Sequence, residues 1–257
     1  MNSLKNKIII STRPLSKEDS IKNQLTESGA IVLDFPMIKI DAVDLTDKLK
    51  VILEQIATYQ WIVFTSKNGV DYFFKFLSRL SIKTEELSSI KIAVVGKKTS
   101  EEVLKNNFKP FLISSGNTSE DLLKELAEKT EPSENILLIL GELADDTLEK
   151  GLSGLGIITR LNVYKTSQEK IISSEIIERI KKDDYHIILF TSPSGVRNFN
   201  KIMNENMITG SFKTACIGTT TEKAMLKNNY QSLFVSTKSN GESFVQELER
   251  FFNNKKK

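Results

Sequence analysis

Seven short segments of this chain combine hydroxyl side chains with glycine or a basic residue, as anion-binding loops do. The first half holds Ser11-Thr12-Arg13-Pro14, Thr65-Ser66-Lys67-Asn68-Gly69, Gly96-Lys97-Lys98-Thr99 and the run from Ser114 through Thr118 to Ser119. The second half holds Thr191-Ser192-Pro193-Ser194-Gly195, Gly218-Thr219-Thr220-Thr221 and the run from Ser236 to Gly241. Ser and Thr are ordinary helix N-caps, so any one loop reads first as a cap. A helix start also presents free N–H groups and the positive end of a dipole. Each such seat for an anion is worth roughly 0.3–1 kcal/mol. Several on one edge would suit a ligand carrying many carboxylates.

Other chemistries are harder to build from these residues. One cysteine, Cys216, excludes an internal disulfide and a cysteine-based metal site, and the single histidine, His186, argues against a histidine metal cluster and a Ser-His-Asp triad. Gly96-Lys97-Lys98-Thr99 is not a phosphate-binding P-loop, because Lys91 stands where that pattern needs its first glycine. Gly151, Gly154 and Gly156 lack dinucleotide spacing. Glu142, Asp145 and Asp146 read as the acidic first turn of a helix, His186 as a solvated edge histidine, and Cys216 as a small buried apolar residue. Neither metal nor cofactor is expected.

The elements that position the loops come from a duplication. Tyr59 to Val70 and Tyr185 to Val196 share seven of twelve residues at an offset of 126. Lys91 to Ser114 matches Lys213 to Ser236 at an offset of 122, which leaves a longer loop around Ser81 to Ser89 in the first copy. A fainter match sets Ile8 to Phe35 beside Leu137 to Asn162, pairing Tyr164 with Met37. Within each copy, continuous apolar runs such as Ile62-Val63-Phe64, Ile136 to Ile139 and Ile187 to Phe190 alternate with helical patterns. One such pattern runs from Gly69 to Leu80 with Phe73, Phe74 and Leu77 on one face. Runs of this kind suit parallel strands buried on both faces. The fold class is therefore α/β: two similar domains, each a parallel β-sheet flanked by helices. In such sheets ligands bind beyond the carboxyl ends of the strands, where all seven loops fall.

Composition narrows the partners. The 257 residues are 39% hydrophobic and 27% charged, enough for two cores and ordinary for a globular protein. Lys255, Lys256 and Lys257 account for the whole net charge of +3, so the body of the chain is neutral and lacks a nucleic-acid footprint. No apolar run is long enough to span a membrane, and the N-terminus does not read as a secretory signal. The expectation is a cytoplasmic, monomeric protein with a small-molecule anionic ligand.

Six matching pieces, in order, make the sequence similar to the uroporphyrinogen-III synthase family over nearly its whole length. They are Thr12-Arg13-Pro14, Phe64-Thr65-Ser66-x-Asn68-Gly69-Val70, Val95-Gly96-x-x-Thr99, Val163-Tyr164-x-Thr166, Phe190 to Val196, and Ile217-Gly218-x-Thr220-Thr221. The resemblance implies cyclisation of the linear tetrapyrrole hydroxymethylbilane to uroporphyrinogen III. Water is lost, the last pyrrole ring is inverted, and no cofactor is used. It further implies two domains with the substrate in the cleft between them. Mapped here, one domain is 1–36 with 168–257, the other is 41–163, and 37–40 with 164–167 form a two-stranded linker. Tyr164 would be the catalytic acid. Arg13, Ser66, Thr99, Thr118, Ser192, Ser194, Thr220 and Thr221 would bind substrate, mostly through backbone N–H groups. A transient hand-over from hydroxymethylbilane synthase would supply it. One departure is visible: where the family carries arginines after the strand near Leu138, this chain has Leu140 and Ala144-Asp145. The same loops also fit a non-catalytic two-domain cleft protein that binds an anionic ligand, or an enzyme acting on a phosphorylated substrate.

Overall fold

Apolar runs of four residues alternate with amphipathic stretches along most of the chain, and the computed structural model turns each run into a strand. It describes residues 3–15, 19–236 and 241–254, so residues 237–240 of the seventh loop and lysines 255–257 lie outside the described residues. In chain order the elements are β1 (Ile8–Ser11), α1 (Ser20–Glu27), β2 (Ile31–Asp34), β3 (Ile38–Ala42), α2 (Asp47–Glu54), β4 (Trp61–Phe64) and α3 (Lys67–Arg79). There follow β5 (Lys91–Val94), α4 (Gly96–Lys105), β6 (Leu112–Ile113), α5 (Ser119–Ala127), β7 (Glu134–Gly141), α6 (Thr147–Leu152) and β8 (Gly156–Gln168). The last are α7 (Ser174–Lys181), β9 (Ile187–Phe190), α8 (Pro193–Glu205), β10 (Thr214–Ile217), α9 (Thr219–Lys227), β11 (Ser232–Ser236) and α10 (Gly241–Asn254).

These form two compact units, Ile40–Thr166 and Met1–Lys39 with Ser167–Lys257. The middle unit carries the sheet β3-β8-β7-β4-β5-β6, and the other carries β11-β10-β9-β1-β2. Every ladder among β4 to β8 is parallel, as is every ladder among β1, β2, β9, β10 and β11. Parallel strands with crossover helices leave both sheet faces covered, which is why the strand sequences are apolar throughout rather than alternating. In the middle unit Ile62, Phe64, Leu137 and Ile139 face one core, and Trp61, Val63, Ile136 and Leu138 face the other. In its counterpart Ile10, Ile188, Phe190 and Cys216 face one side, and Ile9, Ile187, Leu189 and Ala215 face the other. Cys216 is fully buried, and burial pushes its thiol up.

Helix α3 buries Val70, Phe73, Phe76 and Leu77. Phe74, expected in that stripe, is only half-buried and stacks on Phe108, while Phe76 takes the core position. Strands β3 and β8 pair antiparallel: Glu169 donates to the Met37 carbonyl at one end, and Val43 donates to that of Val163 at the other.

The ladders also fix how the two units correspond. Ile187 lies opposite Ile9, and its repeat mate Trp61 lies opposite Ile136. Strand β7 is thus the counterpart of β1 at an offset of 127, not the 129 that sets Ile8 against Leu137. Similarity of apolar side chains is a poor guide to register, because every residue of a doubly buried strand is apolar. One detail supports the shorter offset. The side chain before the first strand of each pair accepts the partner's leading N–H: Gln60 Oε1 from Asn135 at 2.8 Å, and His186 Nδ1 from Ile8 at 3.0 Å.

Candidate functional site

Because the strands of each unit run parallel, the loops after β4, β5, β6 and β7 share one carboxyl edge, and those after β1, β9, β10 and β11 share the other. Ser66 opens the first. Its extended backbone makes it the N-cap of α3, and its Oγ accepts from the Gly69 N–H at 3.0 Å. The same Oγ lies 3.1 Å from the Tyr164 hydroxyl, 98 residues further along the chain. Glycine is needed beside that phenol. A Cβ on Gly141 would come within 2.5 Å of the Tyr164 ring, so the hydroxyl end of the ring packs closely against Gly141. Its other contact is Tyr72 of α3, stacked at 6.0 Å and 25° and tied by its own hydroxyl to the Ile40 carbonyl.

A bulge aims Tyr164. The β7–β8 ladder pairs Leu140 with Asn162 but Gly141 with Tyr164, so one extra residue, Val163, sits on β8 at that point. An extra residue re-directs the side chain that follows it. The loop after β7 is then held by Arg160. The Thr147 hydroxyl and then the Thr147 N–H, which donates at 3.1 Å, hold the Asp145 carboxyl below the usual range, with the nearby Arg160 adding to the effect. Glu142, Asp145 and Asp146 do not form a helix's first turn; they lie in the loop, and α6 begins only at Thr147. The sequence reading missed Arg160, which donates to the side chains of Glu149 and Asn162 and to three backbone carbonyls that no residue pattern announces.

Further along this edge, Gly96 starts α4 with φ at +70°, a conformation that favours glycine, and the Asn117 side chain lies over it. Thr99 is buried one turn in. Thr118 is committed to its own helix: its hydroxyl caps α5 and exchanges hydrogen bonds with Asp121 in a capping box. With Glu120 and Asp121 in that first turn, α5 offers an anion little attraction. Among the described residues the buried Ser114 hydroxyl finds no partner, whereas its counterpart Ser236 donates to Glu247 at 2.6 Å.

On the other unit's edge, Ser192 caps α8 with the geometry of Ser66, accepting from Gly195 at 3.2 Å, but its neighbour is the Ser194 hydroxyl at 3.1 Å. Gly218, at φ +76°, opens α9; Thr221 is buried and Thr220 exposed. Arg13 turns back on Asp19 at 2.9 Å, and Asp19 in turn caps α1, so this arginine is paired within its own loop. Among the described residues no group of three His, Cys, Asp or Glu could hold a metal ion. No helix among them is long and apolar enough to cross a membrane.

Comparison with known proteins bears on these edges. Residues 19–246 match the family model described as uroporphyrinogen-III synthase HemD. A porphyrin biosynthesis protein HemD of Ruminiclostridium josui is 28% identical over 93% of this chain, which spans 47% of that longer relative. A putative uroporphyrinogen-III synthase of Methanocaldococcus jannaschii is 28% identical over 88% of this chain and 91% of its own length. The fold is shared with a crystallised uroporphyrinogen III synthase mutant of Thermus thermophilus, at a TM-score of 0.62 and 17% identity over 96% of this chain and 99% of that one.

Proposed function

Since the chain belongs to the uroporphyrinogen-III synthase family, we propose that it closes hydroxymethylbilane to uroporphyrinogen III with loss of water and inversion of the last ring. The observation that carries the reading beyond family membership is the hydroxyl pair of Tyr164 and Ser66 at the carboxyl edge of the middle unit.

Hydroxide is a poor leaving group, so the terminal C–O bond of the substrate breaks readily only if a proton arrives as it lengthens. Tyr164 gives its phenolic proton to that oxygen, water departs, and a cationic methylene-pyrrole remains. The phenolate left behind accepts from the Ser66 hydroxyl, near the start of α3 with its partial positive charge. General acid catalysis of this kind contributes about 10²–10⁴ in rate. The substituted carbon of the last ring then attacks the cation to give a spiro ring. Its older bond to the neighbouring methylene bridge breaks, which forms a second methylene-pyrrole cation. The ring's unsubstituted α-carbon attacks that cation and loses its proton to complete the inversion. Tyrosine is reprotonated between turnovers.

The substrate's eight carboxylates need donors that do not depend on net charge. The N–H groups at the starts of α4 and α9 supply them, with Thr99, Thr220 and Thr221 alongside, and Ser192 and Ser194 offer hydroxyls at the start of α8. Arg13 and Thr118 contribute less, because Asp19 and Asp121 already occupy them. Holding the chain so that attack comes from the substituted carbon is the larger task. Well-oriented intramolecular reactions gain roughly 7–11 kcal/mol.

The test is product analysis. Hydroxymethylbilane made freshly by its synthase closes spontaneously to the uninverted isomer. With this protein present, isomer III should dominate on chromatographic separation. Isomer I alone, at the spontaneous rate, would leave only an anion-binding role.

A further inference from the structure

We infer that Arg160 is a positioning residue that sets where the Tyr164 hydroxyl stands, a role that rests on the reading of Tyr164 as the proton donor. All five guanidinium N–H donors are engaged. Nε donates to Asn162 Oδ1 at 2.9 Å. One terminal nitrogen donates to Glu149 Oε2 at 2.5 Å and to the Asp145 carbonyl at 3.4 Å. The other donates to the carbonyls of Ala144 at 2.9 Å and Gly141 at 3.3 Å. One side chain therefore gathers three carbonyls of a single loop and anchors them to the first turns of α6.

That loop is the surface on which Tyr164 rests. Gly141 lies against the phenol ring, and the Glu142 N–H donates to the Tyr164 carbonyl at 3.0 Å. Arg160 precedes Tyr164 by four residues on the same strand, with the bulge at Val163 between them. A bulge leaves its extra residue unpaired and the ladder locally disrupted. Holding Gly141 from the Arg160 side braces the chain at that break, and with it the surface that places the ring against Ser66. Because every donor is committed within the protein, Arg160 has no hydrogen to spare for a substrate carboxylate. Its part is to organise the loop, not to bind the ligand. A lysine could not do the same, having three donors on a point charge in place of a planar fork.

The experiment uses the full chain labelled with 13C at the tyrosine Cζ, the Tyr164 resonance being identified by its absence from Tyr164→Phe. In Arg160→Gln that resonance should move, and turnover to isomer III should fall about tenfold or more, as expected for a misplaced catalytic group. KM should stay within about twofold, because binding contacts are untouched. In the Tyr164→Phe background the same substitution should cost nothing further. Arg160→Lys should resemble Arg160→Gln, and it replaces that variant in every comparison if the glutamine form fails to fold. A Tyr164 resonance that stays in place, a loss confined to KM, or an equal loss without the tyrosine would each overturn the proposal. If Tyr164→Phe keeps full turnover while Arg160→Gln still moves the resonance, the proton-donor reading falls and the positioning role stands.

Discussion

Ser66 and Ser192 begin in the same way and end differently. Each follows a buried parallel strand, adopts an extended backbone and caps a helix of 13 residues by accepting from the glycine three residues on. Beyond the cap, Ser66 meets a tyrosine that a bulge and a glycine have brought to it, while Ser192 meets only the serine two residues away. The duplicated part is the helix start, which can grip an anion wherever it occurs. The unduplicated part is the phenol. On the function proposed above, anion binding would be shared by both units and proton transfer confined to one.

The largest expected effect tests that asymmetry directly. Tyr164→Phe should lower turnover to isomer III by about a hundredfold or more. Its melting temperature should scarcely change, since the ring and its contacts with Tyr72 and Gly141 remain. Steady-state rates equal to those of the parent protein would remove the phenol from the mechanism.

A smaller effect should separate the two serines. Ser66→Ala and Ser192→Ala each delete a cap and should destabilise by about 1 kcal/mol. Only Ser66→Ala also removes the partner of the phenol, so its turnover should fall about tenfold, the equivalent of one hydrogen bond of about 1.4 kcal/mol. Ser192→Ala should change turnover by less than about threefold, because the backbone donors survive. Equal kinetic losses in the two variants would mean that the units are catalytically alike.

The smallest effect concerns the opposite, amino ends of the strands. His186 Nδ1 must be unprotonated to accept from Ile8. Burial, then Lys7 and Lys213, holds the imidazole below its ordinary value of 6.5. A base whose folded pKa is depressed binds protons more readily when unfolded. Stability is therefore full above about pH 6.5 and declines as the pH falls below it. Gln60 does the same work in the middle unit without titrating. His186→Gln should keep the bond and flatten the denaturation midpoint between pH 7 and 5; an unchanged slope would assign the acid sensitivity to carboxylates instead.

Much of the fold could be read in advance because doubly buried strands announce themselves. Ile62-Val63-Phe64 and Ile187 to Phe190 have no other plausible home, and a repeat of them implies a second sheet. Strand β8 was harder to see. Thr159, Arg160 and Asn162 interrupt its apolar character, so only the segment from Tyr164 onward read as a strand. At the site, the hydroxyl-rich loops were visible, but their commitments were visible only in part. The Thr118-x-x-Asp121 spacing is a capping-box signature and could have warned that this threonine was occupied. Nothing in the spacing of Arg13 and Asp19 shows that they pair. The meeting of Ser66 with Tyr164 depends on a bulge, and a bulge leaves no mark in composition.

The strand order of the outer unit carries a consequence for how the molecule comes to be. Ile8–Ser11 lies inside its sheet, between β2 and β9, and β9 is made some 180 residues later. All five parallel strands of the middle unit, by contrast, emerge without interruption between residues 61 and 168. Contacts close in sequence cost less chain entropy to form than distant ones. Strand β1 can therefore pair early with β2 but is among the last to find its second neighbour. Until residue 190 has emerged, its open edge must be shielded by something other than its own sheet.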